Sequence, residues 1–113
     1  MTGFTRRDLP ADLAVFAGDF ASQPLAYAHL LDRCPALDLG HVEVIQGPRT
    51  ARLAAFFGAA DLARIDRAAG QADTLVLIKP DAFDGLDCPF PGSDLLRPLG
   101  SWRGTVPRMV AAR

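Results

Sequence analysis

The sequence predicts a single α+β domain over residues 1–113, a single layer pair of helices against a sheet of about four strands, in the order β-α-β-α-α-β-β. Three observations carry this reading. The run Leu75-Val76-Leu77-Ile78, set between Asp73-Thr74 and Lys79-Pro80, is unbroken, apolar and too short for a helix, which marks residues 74–79 as a central strand covered on both sides. Elsewhere two stretches alternate with a period of two. Between them lie apolar stripes at the i, i+3, i+4, i+7 spacing of helices. Each buried side chain of the central run is worth about 1.5–3 kcal/mol, so together they approach the net stability of a domain.

Residues 1–10 read as a loose arm. From Asp12 to Phe20, Leu13, Val15 and Ala17 alternate with Ala14 and Phe16, and Gly18-Asp19 ends this first strand. Ser22 is placed to cap a helix, Pro24 fits its first turn, and Tyr27, Leu30, Leu31 and Cys34 form its apolar stripe before Pro35 stops it. His41 to Gln46 is a second strand, with Val42 and Val44 on one side and Glu43 and Ile45 on the other. Gly47-Pro48 then turns the chain into a helix carrying Leu53, Phe56, Phe57 and Ala60; Gly58 interrupts it, and a further helix carrying Leu62, Ile65 and Ala69 closes at Gly70. After the central strand, prolines and glycines from Pro80 to Gly92 make 81–94 a loop. Leu95 to Trp102 returns as a fourth strand, which Pro98 confines to an edge, and residues 104–113 read as a loose tail.

Half of the residues are hydrophobic and 22% are charged, an ordinary globular composition. The 12 basic and 13 acidic residues nearly cancel, so no global field draws the chain to nucleic acid or to an anionic membrane. No apolar run approaches the ~18 residues of a membrane span, and Arg6-Arg7 precedes no export-type apolar segment, so a cytoplasmic protein with Cys34 and Cys88 as free thiols is expected.

Catalytic and cofactor signatures are sparse. The spacings of His29, Cys34, His41 and Cys88 match neither a C-x-x-C pair nor an H-E-x-x-H helix, and Asp81, Asp84 and Asp87 lack the alternation of a calcium loop, so no metal and no cofactor are expected. His29 is expected on the wet side of its helix. Ser22, Ser93 and Ser101 stand in no G-x-S-x-G elbow, and no phosphate-binding glycine loop is present, so no catalytic residue is assigned. Arg49, Thr50 and Arg52, at a strand end and a helix start, suit a phosphate or carboxylate; the competing reading is two solvated arginines. The loop is the more distinctive feature. Asp81, Asp84, Asp87 and Asp94 carry its charge with no base among them, and Phe83, Leu86 and Phe90 are interleaved, the mixture that docks on a basic protein surface. The competing reading folds the aromatic residues inward as staples and leaves the carboxylates hydrated.

Several blocks also resemble a known family. Ala14-Val15-Phe16-Ala17-Gly18-Asp19-Phe20-Ala21-Ser22 leading into a helix with Tyr27, then Ala72-Asp73-Thr74-Leu75-Val76-Leu77-Ile78, then Leu99-Gly100-Ser101-Trp102, are similar in order to the immunity protein twenty-two family of bacterial polymorphic toxin systems. The resemblance implies a small α+β protein that neutralises a cognate protein toxin by binding, with no catalytic residues to carry over. Two other readings stand beside this one: a sensor or enzyme for a small phosphate or carboxylate using 47–52, and an oligomerisation module, with a homodimer as one form.

Overall fold

The structure, a computed structural model, describes the backbone of residues 3–84, 86 and 89–112 and the side chains of residues 9–84, 86 and 89–106. Its elements are β1 (Gly3–Gly18), α1 (Gln23–Arg33), β2 (Val42–Gln46), α2 (Arg49–Leu53), α3 (Ala59–Ala69), β3 (Thr74–Ile78) and β4 (Arg97–Ala112), with 3₁₀ turns at Leu39–His41 and Pro80–Phe83. The strands form one antiparallel sheet in the order β2-β3-β1-β4. The α+β class, the strand and helix order and the interior position of β3 are as the sequence predicts.

All of β3 is buried, and its alternating side chains feed two cores. Leu75 and Leu77 join Leu13, Val15 and Ala17 of β1, Ile45 of β2, and Leu53, Phe57, Ile65 and Ala69 from the α2–α3 side. Val76 and Ile78 join Phe16, Val42 and Val44, under Ala26 and Leu30 of α1 and the loop residues Ala82, Phe90 and Leu96. A strand with no wet face needs cover above and below. The sheet therefore has a layer on each side, α2 and α3 on one and α1 with the 80–96 loop on the other, where a single layer pair is expected from the element order.

Both chain ends depart from expectation. The arm 1–10 and the tail 104–113 are not loose where described: Gly3 pairs with Ala112 and the ladder continues through Leu9–Val106 and Ala11–Gly104 to Ala17–Arg97. The pairing is between opposite ends of the chain, so no local period announces it. The fourth strand accordingly runs over 97–112, well past Trp102. Pro98 does lie on the edge strand. Val15 is opposite Gly100 and Phe16 opposite Pro98, so Leu99 is the extra residue of a bulge, where a missing N–H is tolerated. In α1 the buried residues are Ala26 and Leu30, with Leu31 turned outward at 40% exposure, so the stripe sits about one position earlier than its spacing suggests.

Gly104 marks a close approach. A Cβ there would lie 2.6 Å from the Phe56 carbonyl oxygen, which accepts the Thr105 N–H at 2.8 Å and ties the α2–α3 connection to β4. A side chain at 104 would push the two apart.

Candidate functional site

Two stretches carry the candidate groups, and the fold fixes each differently. The first is the loop that leaves β3. Pro80 stops the strand and starts the 3₁₀ turn, whose backbone is closed by Ala82 N–H to Lys79 O at 3.0 Å and Asp84 N–H to Asp81 O at 3.2 Å. Asp38 N–H donates to Ala82 O at 3.2 Å and so ties the turn to the segment before β2. Further on, Phe90 is only 6% exposed and its ring lies 5.2 Å from that of Phe16. Its large apolar area is held under the sheet, which makes it the anchor of the loop and removes it from the partner-facing set.

Ser93 closes the loop's far end. Its Oγ accepts the N–H groups of Leu95 at 3.2 Å and Leu96 at 3.1 Å, and lies 2.6 Å from His29 Nε2 on α1. Ser93 Oγ thus closes the turn over Leu95 and Leu96 and shares one hydrogen bond with the imidazole, its direction set by the histidine tautomer. The pair is a clasp between helix and loop. His29 is therefore partly buried against the loop and the Phe20 ring, 5.6 Å away, rather than on the wet side of its helix. No local pattern in the sequence places His29 beside Ser93, 64 residues away. Next to the clasp, Arg33 Nη2 donates to Asp94 Oδ1 at 3.0 Å across an exposed gap, so Asp94 faces a base of α1.

What remains outward is a compact set. Asp84 is exposed, Asp81 is partly buried, and Phe83 and Leu86 pack their inner sides on the core while leaving part of their surface open. A depression of about 210 Å³ lies beside them, lined by Asp12, Ala14, Ile78, Phe83, Pro89 and Ser101 among others. Asp87, expected in the same set, lies outside the described residues, as does Cys88; Cys34 is a free thiol, partly buried.

The second stretch is the turn from β2 into α2. Arg49 does not point to solvent. Its Nε donates to Asp66 Oδ1 at 2.6 Å, Nη1 to Ala72 O at 2.7 Å, and Nη2 to the carbonyls of Asp66 and Gly70. The guanidinium thus closes the C-terminal end of α3, where unsatisfied carbonyls and the helix dipole favour a cation. Arg97 does the same from the other side, donating to Ala68 O and Ala69 O. Arg52 Nη2 donates to Glu43 Oε1 at 3.0 Å, and Thr50 is exposed. The anion reading of Arg49, Thr50 and Arg52 thus loses both guanidiniums, one to the α3 end and one to Glu43.

Burial raises the Tyr27 phenol above its ordinary pKa of 10.0, with the Glu43 carboxylate adding to the effect. Among the described residues no group of three or more His, Cys, Asp and Glu side chains is gathered to hold a metal ion, and no described helix is long and apolar enough to cross a membrane. Comparison with known proteins finds no matching family model, no matching curated protein and no matching solved structure.

Proposed function

We propose that this chain is a binding protein of the bacterial cytoplasm, an immunity factor that occludes a basic surface of a cognate protein toxin with the outer side of its 81–94 loop. The observation that carries the reading is the way the loop is held. The Asp38–Ala82 bond holds the start of the loop, Phe90 beneath Phe16 and the Ser93–His29 clasp hold its end, and Asp84 and the open parts of Phe83 and Leu86 stay outside. Side chains held in place before binding lose less freedom on association. Asp84 steers a basic partner, and the apolar residues slow its departure. The block resemblance to an immunity family supplies the partner class.

The test starts from the gene next door. A secreted toxin encoded beside this chain is co-expressed with it, and the expected result is rescue of growth together with a complex that survives purification. Growth arrest despite a folded, abundant chain, with no complex by surface plasmon resonance, overturns the proposal.

A further inference from the structure

The hydrogen-bond ladder on the β3 side of β1 starts only at Ala14, because β3 ends at Ile78 and Pro80 turns the chain away. From Gly3 to Leu13, β1 therefore has β4 on one flank and, among the described residues, no strand on the other. A ribbon of two strands is marginal in water, and an open flank of N–H and C=O groups is a template for another strand. The outer flank of β4 is guarded by Pro98, Pro107 and the Leu99 bulge, whereas residues 3–9 of β1 contain no proline.

We infer that a second copy of this chain pairs with that flank, β1 against β1 in antiparallel fashion about a two-fold axis. The register follows from geometry and charge. Backbone groups of successive residues point to opposite flanks, so opposed residues must share parity, and only registers in which a residue meets its own copy are allowed. Centred on position 6, the axis brings Arg6 against Arg6 with no compensating pair; centred on position 8, it brings Asp8 against Asp8 likewise. Centred on position 7, it sets Arg6 opposite Asp8 of the other copy twice, against one Arg7–Arg7 pair at the axis. Opposite charges across a ladder stabilise and like charges destabilise, so the position-7 register is selected. Pro10, lacking an N–H, bounds the ladder at Leu9, and the paired run is Thr5 to Leu9 from each copy. The product is a four-stranded ribbon, β4-β1-β1-β4, across the two subunits. This inference stands apart from toxin binding, and its test needs no toxin.

Sedimentation of the full chain over a concentration series is expected to show a species of twice 12.1 kDa. Asp8→Arg turns both unlike pairs into like ones and is expected to weaken the dimer about tenfold or more, and adding Arg6→Asp to the same chain is expected to restore it. A geometric readout stands beside this one. In a Cys34→Ser, Cys88→Ser background, Arg7→Cys is expected to cross-link on mild oxidation, since directly opposed Cα atoms lie about 4.5–5.5 Å apart, within disulfide reach. Thr5→Cys is expected not to, because its copy lies four residues along the partner strand, about 13 Å away. A monomer at every concentration, including one that pairs only with some other protein, overturns the inference. So does a dimer indifferent to Asp8→Arg with no cross-link at position 7.

Discussion

The turn at 47–53 and the loop at 80–96 both present charged residues at the end of a strand, yet the fold uses their charges in opposite ways. In the turn, Arg49 is engaged by one carboxylate and three carbonyls at the end of α3, and Arg52 faces Glu43. In the loop the apolar residues do the anchoring, through Phe90 and Leu96, and Asp84 stays outside. The difference comes from what each strand end delivers the chain to. The turn leads into a helix of five residues that needs fastening to its neighbours, and a guanidinium with several donors does that. The loop covers the second face of the sheet, where apolar area matters most and charge is turned outward.

The largest effects are expected in the two cores that meet on β3. Phe90→Ala removes a ring packed on Phe16 and is expected to cost about 3–5 kcal/mol in urea unfolding. Leu77→Ala, on the opposite face of the sheet, is expected to cost about 2–5 kcal/mol. If Phe90→Ala costs less than 1 kcal/mol, the loop is not held from beneath and the contrast with the turn fails.

The same two residues show how far the sequence can be read. Leu77 is legible because its neighbours are apolar on both sides and no helix fits the run. Phe90 is not, since its burial depends on Phe16, from the far end of the chain, and the local pattern of acids and aromatics suits either direction. Arg49 is alike: nothing near it predicts Asp66 or the carbonyls of Gly70 and Ala72 as partners. The β1–β4 ribbon was hidden for the same reason, its pairs joining the first residues to the last. Local periodicity thus reports β3, the helices and the two faces of β1 from Leu13 to Ala17, while long-range pairing decides which candidate groups remain available.

Arginine replacements sharpen the contrast from the turn's side. Arg49→Ala leaves carbonyls at the end of α3 without their donor and is expected to cost about 2–3 kcal/mol, read as a lower urea midpoint at unchanged slope. Arg52→Ala breaks a half-exposed pair and is expected to cost about 0.2–1 kcal/mol. Equal losses at the two positions would mean that the turn's charges are not ranked by their partners as described.

The smallest effect on stability, and the most informative for function, is expected at Asp84. Its carboxylate is exposed, and replacing it with asparagine keeps the shape while removing the charge, so Asp84→Asn is expected to leave unfolding within about 0.5 kcal/mol of the parent chain. Against the cognate toxin its role lies in encounter. Surface plasmon resonance at two salt concentrations is expected to show slower association at low salt, a flatter salt dependence and a nearly unchanged dissociation rate. Phe83→Ala acts on the other limb, because a partly open ring that the partner covers holds the complex together once formed, and faster dissociation is expected. If Asp84→Asn and Phe83→Ala both fold and bind like the parent chain, the outer side of the loop is not the toxin-facing surface, and its residues serve only to cover the sheet.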